Sequence, residues 1–325
     1  MTGELAANQR ADRVLVTGGA GFIGSTLVDR LLAEGREVVV LDSFDPYYAE
    51  TEKRANLRGA FDLPRFRLER GDIRDGSALE RSIGAGVDAI VHLAALAGVR
   101  PSLEQPARYA DVNVHGTACV LEAAVRAGVP HVVFASSSSV YGERPEGSFR
   151  ETDPVDRPIS PYAATKRAGE LIAHSFHSAE GLTVTCARIF TAFGPRQRPD
   201  LAIRRFAERM LAGQPVPIFG DGSAVRDFTF VGDLVDGLVR AVDRPLGFAI
   251  LNFGAGRTCS VSEVVRLLEQ ALGVTARIEW LPRQTGDVSR TRADVSAARA
   301  ALGYIPATPL DQGIARFAEW LKERQ

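Results

Sequence analysis

Lysine is close to absent from this chain. Of its 39 basic residues only Lys53, Lys166 and Lys322 are lysines, and the rest are arginines. An excess of either charge is missing as well, because 40 acidic residues leave a formal net charge of -1. A surface so balanced exerts no general pull on nucleic acid or an anionic membrane, so an anion would have to be bound by a local cluster. No stretch approaches the roughly 20 apolar residues of a membrane-spanning helix. The opening MTGELAANQRAD lacks the charged head and apolar run of a secretory signal, and residues 1–12 are expected to form a flexible tail. Cysteine is scarce: Cys119, Cys186 and Cys259 are far apart and odd in number. They read as small buried fillers in a reducing compartment, the cytoplasm by default, and not as a disulfide framework. Repeats, low-complexity tracts and linker-like segments are lacking too.

What the chain does have is rhythm. RVLVT at 13–17, EVVVLD at 37–42, AIVHLAA at 89–95, HVVFASS at 131–137 and TVTCARIF at 183–190 are near-continuous apolar runs, separated by segments of helical spacing. Strands and helices alternating at these lengths predict an α/β fold, a Rossmann-type doubly wound parallel sheet buried on both faces. After about residue 190 the rhythm loosens and Pro and Gly become denser. The expectation is a cofactor-binding domain over 13–190 and a smaller C-terminal α/β substrate-binding domain over 191–325. That boundary is blurred, and some later segments can return to the larger domain.

Between the first strand and the first helix stands GGAGFIG. Gly18 suits a tight turn, Gly21 a close approach of backbone to a pyrophosphate, and Gly24 the packing of helix on strand. With Phe22 and Ile23 they place a cofactor phosphate at the helix N-terminus, where free N–H groups and the dipole favour anions. Asp42 ends the next strand, where a carboxylate binds the adenosine ribose hydroxyls and repels a 2′-phosphate. NAD is therefore expected in preference to NADP.

Tyr162 and Lys166 occur in SPYAATK, with Ser160 placed to cap a helix and Pro161 at its first position. Four apart, they share a helix face. A phenol with a pKa near 10 is a poor base at neutral pH, and an adjacent ammonium is expected to lower it by roughly three units. Ser137, in the run FASSSSVYG, can bridge a sugar hydroxyl and that phenol. His174 and His177, three apart on the same helix, have no carboxylate or cysteine at ligand spacing and read as helix-surface residues.

Together with GDI, HLAA and RDFTF, these motifs resemble the extended short-chain dehydrogenase/reductase family, specifically its NAD-dependent nucleotide-sugar epimerases, over roughly residues 13–323. The resemblance implies that Asp72 and Ile73 contact adenine, that Leu93, Ala94 and Ala95 run along the cofactor, and that Ser43, Asn113 and Ser136 support it. It makes Ser137, Tyr162 and Lys166 catalytic, and turns Ser138, Arg226 and Asp287 toward the nucleotide sugar. Dehydratases of the family carry an Asp-Glu pair where Ser138 and Ser139 stand here, which removes their acid and base. It also implies a homodimer paired through helices near 106–127 and 161–178, with no nucleic acid or membrane partner.

The stretch RIFTAFGPRQRPDLA, 188–202, turns abruptly from apolar to cationic. Its T-x-x-G-P-x-x-R-P-D is similar to the subgroup that epimerises UDP-glucuronate at C4, in which the threonine and the later arginine hold the sugar carboxylate. Here these are Thr191 and Arg198, while Arg196 is expected to face solvent. The implied activity is NAD-dependent interconversion of UDP-glucuronate and UDP-galacturonate through a 4-keto intermediate. The alternatives are the same chemistry on UDP-glucose or a UDP-N-acetylhexosamine, oxidative decarboxylation of UDP-glucuronate, and a non-catalytic NAD sensor or scaffold.

Overall fold

A computed structural model describes residues 10–84, 86–144, 147–282 and 288–324. Strands β1 (Arg13–Thr17), β2 (Glu37–Asp42), β3 (Phe66–Arg70), β4 (Ala89–His92), β5 (His131–Ser137) and β6 (Thr183–Ile189) come in turn, the first five each followed by helix. Beyond them lie β7 (Thr191–Phe193), β8 (Val216–Phe219), β9 (Val225–Arg226), β10 (Phe228–Phe230), β11 (Phe248–Phe253), β12 (Cys259–Ser260) and β13 (Ile278–Leu281). Seven of these form one all-parallel sheet in the order β11-β6-β5-β4-β1-β2-β3. Strand order reverses between β1 and β4, which opens a crevice at their carboxyl ends, the place where such sheets bind ligands.

The central strands are apolar along their whole length because both of their faces are covered. Val14, Leu15 and Val16 are fully buried, alternating between two core clusters on opposite faces of the sheet. One face is covered by helices Phe22–Ala33 and Val231–Asp243, and the other by Gly76–Ile83, Gly116–Arg126 and Pro161–Glu180. The large layer thus takes one strand, β11, and one helix from beyond residue 190. The remaining C-terminal strands form three two-stranded pairs, β7 with β10, β8 with β13 and β9 with β12, of which β7 reaches the crevice. Helices Ala202–Leu211, Val261–Leu272 and Leu310–Lys322 pack behind them.

Candidate active site

The crevice is one continuous cavity of about 580 Å³, within the usual size range of small-molecule sites. Its cofactor end is shaped by glycine. Gly18 follows β1 with φ +72°, and a Cβ there would lie 2.8 Å from the Ala94 backbone nitrogen at the end of β4. A Cβ on Gly24 would come within 2.3 Å of the Gly18 carbonyl. At Gly21 the nearest atom is 3.2 Å away, so protein contacts alone do not demand glycine there, whereas a ligand against the backbone would. Helix Phe22–Ala33 starts at Gly21 with no side-chain cap, leaving its first N–H groups for a ligand.

Asp42 lies under this turn and accepts hydrogen bonds from the backbone of Ala20 (3.0 Å) and Phe44 (2.8 Å). Burial pushes its pKa up, against those two bonds and the Lys53 ammonium. Each carboxylate oxygen keeps a lone pair for a ribose hydroxyl. The Tyr48 hydroxyl, buried on the same wall, has no hydrogen-bond partner among the described residues. An orphaned donor beside a carboxylate with spare acceptor capacity fits the adenosine half of a dinucleotide. Ser43, Asp72, Ile73, Leu93, Ala94 and Ala95 line the same wall, with Asp72 clasped by the Arg74 guanidinium at 2.6 Å.

The chemical end stands on helix Pro161–Glu180. Ser160 caps it by accepting from the Ala163 N–H at 3.2 Å, with Pro161 in the first turn. Tyr162 and Lys166 both line the cavity, as do Ser136, Ser137 and Ser138. Each member of the dyad has its own partner. Lys166 donates to the Ala135 carbonyl at 2.8 Å, and burial lowers its pKa to about 8. The Tyr162 phenol is pushed up by burial, opposed by the Ser137 hydroxyl and by the charge of Arg198. Arg198 of the loop is thus a cation acting on the phenol, while the Lys166 ammonium bonds a carbonyl and keeps two further protons to donate. The helix is anchored below by Glu170, which accepts from Ser136 at 2.6 Å and from buried Arg188 at 2.9 Å on each oxygen.

Thr191 and Arg198 line the substrate end of the cavity. Arg198 is not free: its Nε and Nη2 donate to Asp200 at 2.9 and 2.8 Å, and its guanidinium lies 5.3 Å from the centre of the Tyr47 ring. Arg196, expected in solvent, instead pairs with Asp29 at 2.7 Å and adopts φ +67°. Arg204 reaches Glu52 through two nitrogens, at 2.7 and 3.0 Å. The loop is therefore tied to the cofactor side at three points: by Arg196, by Arg204 and by the Tyr47–Asp200 bond at 3.2 Å.

Asn113 is not brought to the cavity wall. Its amide bonds both the N–H and the carbonyl of Leu96 and the Thr165 hydroxyl, so it shapes the loop after β4 from behind. Arg226 stands outside the cavity on β9, paired with Cys259 of β12. Asp287 lies outside the described residues. His174 and His177 pack their rings against Phe248. Sequence reasoning gave Lys53 and Asp200 no role and left Tyr47 and Tyr48 open between a loop over the adenosine and simple packing; all four line the cavity. The rarity of lysine was a signal for Lys53, which is only 6% exposed and donates to the Asp45 carbonyl at 2.6 Å.

Comparison with known proteins adds to this geometry. The profile of the NAD-dependent epimerase/dehydratase family matches residues 14–254. The UDP-glucuronate 4-epimerase of Thermodesulfobacterium geofontis is 39% identical over 95% of this chain and 96% of its own length. The crystal structure of UDP-glucuronic acid 4-epimerase from Bacillus cereus, in complex with UDP-glucuronic acid and NAD, superposes with a TM-score of 0.89 at 35% identity. That match covers 96% of this chain and all of the other. The dTDP-glucose 4,6-dehydratase DesIV of Streptomyces venezuelae, with NAD and TYD bound, superposes as well, with a TM-score of 0.90 at 37% identity over 96% of this chain and 97% of its own.

Proposed function

This chain belongs to the NAD-dependent epimerase/dehydratase family, and within it we propose an enzyme that inverts C4 of UDP-glucuronate, interconverting it with UDP-galacturonate. The observation that carries the reading is that Arg198, Thr191 and the Tyr162 phenol line one cavity, which also holds the glycine turn. An epimerase and a dehydratase superpose on this chain equally well, so side chains must choose between them. Ser138 and Ser139 offer no acid and base for removing water.

NAD, when bound, supplies the acceptor and later the donor of hydride at C4. Tyr162 takes the proton of the 4-hydroxyl through or beside Ser137 and returns it after the sugar has turned over. The charge of Arg198 opposes the burial that disfavours the phenolate. Lys166 is assigned to the nicotinamide ribose, one helical turn from the phenol. Asp42, Lys53 and Tyr48 hold the adenosine side.

The substrate carboxylate creates a hazard, since oxidation at C4 makes a β-keto acid that readily loses carbon dioxide. Arg198 and Thr191 hold it in a polar setting, out of alignment with the ketone. Asp200 takes Nε and Nη2 of Arg198, which leaves the Nη1 end of the fork for the substrate.

We also infer a cytoplasmic homodimer. Support comes from three unpaired cysteines and from Leu171, 55% exposed on helix Pro161–Glu180, where family members pair; light scattering of the purified protein tests the dimer.

The function is tested by incubating the protein, without added NAD, with UDP-glucuronate and separately with UDP-glucose, and following the sugar protons by NMR. The expected result is an equilibrium mixture of the two uronates with UDP-glucose little changed. Epimerised UDP-glucose beside untouched UDP-glucuronate would keep the chemistry and overturn the substrate.

A further inference from the structure

The arginine assigned to the carboxylate is itself held from two sides. Asp200, two residues further on, grips the side edge of its guanidinium with two nearly equal bonds, at 2.9 and 2.8 Å. Such a bidentate grip fixes the plane of the fork. The Asp200 carboxylate is in turn held by the Tyr47 hydroxyl at 3.2 Å, from a residue 153 positions away on the cofactor side. The ring of the same tyrosine stacks on the guanidinium, 5.3 Å from centroid to carbon. Room for Tyr47 comes from Gly98 at φ +109°, where a Cβ would lie 3.1 Å from the tyrosine oxygen. All four residues line the cavity.

Two roles for Asp200 are physically distinct. It could compete with the substrate carboxylate for Arg198, or it could orient Arg198 for it. The geometry favours orientation, because the side edge and the end edge of a guanidinium are separate and Asp200 occupies only the former. An arginine fixed in advance spares the substrate the cost of ordering a long, rotamer-rich side chain.

We propose that Asp200 and Tyr47 are positioning residues that hold Arg198 in its substrate-reading orientation, so that preference for a uronate over a neutral hexose depends on them as well as on Arg198. This rests on the function proposed above. It calls for Asp200→Asn, Tyr47→Phe and the double variant, each prepared with its NAD content measured, with kcat and KM determined for UDP-glucuronate and UDP-glucose.

In Asp200→Asn, KM for UDP-glucuronate should rise about tenfold, the loss of one charge-assisted hydrogen bond. The Tyr47→Phe rise should be about threefold, for a weaker bond acting at one remove. The shifts in kcat and in KM for UDP-glucose should be several-fold smaller. Tyr47 acts through Asp200, so the double variant should lose less than the product of the two single effects. A purely structural role would instead lower NAD content and impair both substrates alike, which overturns the proposal. A KM for UDP-glucuronate that falls in Asp200→Asn overturns it too, and makes Asp200 a competitor. Calorimetric binding of UDP-glucuronate against UDP reads the same discrimination without turnover. If the wild-type protein fails to epimerise the uronate, the proposed function falls alone, and the positioning role still stands or falls on that affinity ratio.

Discussion

The glycine turn at residues 18–24 and the arginine loop at 194–204 face the same cavity but are specified in different ways. The turn is specified by shape: Gly18 and Gly24 stand where any Cβ would strike backbone, and backbone cannot step aside. The loop is specified by charge: Arg196, Arg198 and Arg204 are each matched to a carboxylate, and three ties carry the loop across to the cofactor side. Shape tolerates one ligand class and resists drift. Charge pairs can be reassigned one residue at a time, which suits the part of a family site that distinguishes one sugar from another.

The largest expected effect separates chemistry from both regions at once. Tyr162→Phe should lower kcat by about 10²- to 10⁴-fold while the protein still carries NAD, as read from absorbance after denaturation. Unchanged epimerisation would remove the phenol from the mechanism and leave the two regions without a shared purpose.

Acid should destabilise the fold through two buried histidines. His92 lies beneath the turn, bridging Thr17 (2.7 Å) and Thr117 (3.1 Å). Thr117 gives its own proton to the Asn113 carbonyl at 2.6 Å, so Nε2 of the ring carries a proton and donates it to the Thr117 hydroxyl. Burial, aided by the Lys166 charge, depresses its pKa to about 3, and burial depresses that of His131 to about 4. Both folded values lie below the unfolded value near 6.5. The unfolded state therefore binds more protons as pH falls below 6.5, and stability is lost from there downward. The slope is about 1.4 kcal/mol per pH unit for each histidine, or about 4 kcal/mol for the pair by pH 5. Urea midpoints at pH 7 and pH 5 measure this, and equal midpoints would refute it.

Legibility from sequence follows the same division. The sheet, the turn, the Ser160 cap and the shared face of Tyr162 and Lys166 depend on local periodicity and spacing, which a sequence displays directly. The grip of Asp200 on Arg198 was hidden because Asp in R-P-D reads equally well as a turn residue, and its second holder, Tyr47, is distant in the chain. Asn113 sits in a wide π turn, Asp111–His115, which directs its amide to the back of a loop. The partnership of Lys166 with a carbonyl depended on where β5 ends, a tertiary fact. Spacing shows which side chains share a face but not which neighbour each one bonds.

Breaking the charge side alone calls for Arg198→Met, which keeps bulk and removes the fork. KM for UDP-glucuronate should rise roughly ten- to a hundredfold, the range for hydrogen bonds to a charged group, with NAD content retained. The cation opposing burial at Tyr162 is lost in the same variant. The phenol should therefore ionise at higher pH, and the rising limb of the rate profile should move upward. A variant that keeps its preference for the uronate would show that the loop reads shape after all.

Breaking the shape side alone calls for a single methyl group. Gly24→Ala places it 2.3 Å from the Gly18 carbonyl and 2.7 Å from the Gly19 Cα, a clash between backbone atoms worth about 1–3 kcal/mol. Melting temperature should fall, and so should the NAD that copurifies, because the turn must open where the pyrophosphate is to lie. The same substitution at Gly59, where an added Cβ meets nothing within 4 Å and the backbone has no positive φ, should be neutral or stabilise by about 0.4–1 kcal/mol through the unfolded chain. Equal responses from the two glycines would mean that the turn can relax around a side chain. The cofactor side would then be as adjustable as the loop opposite.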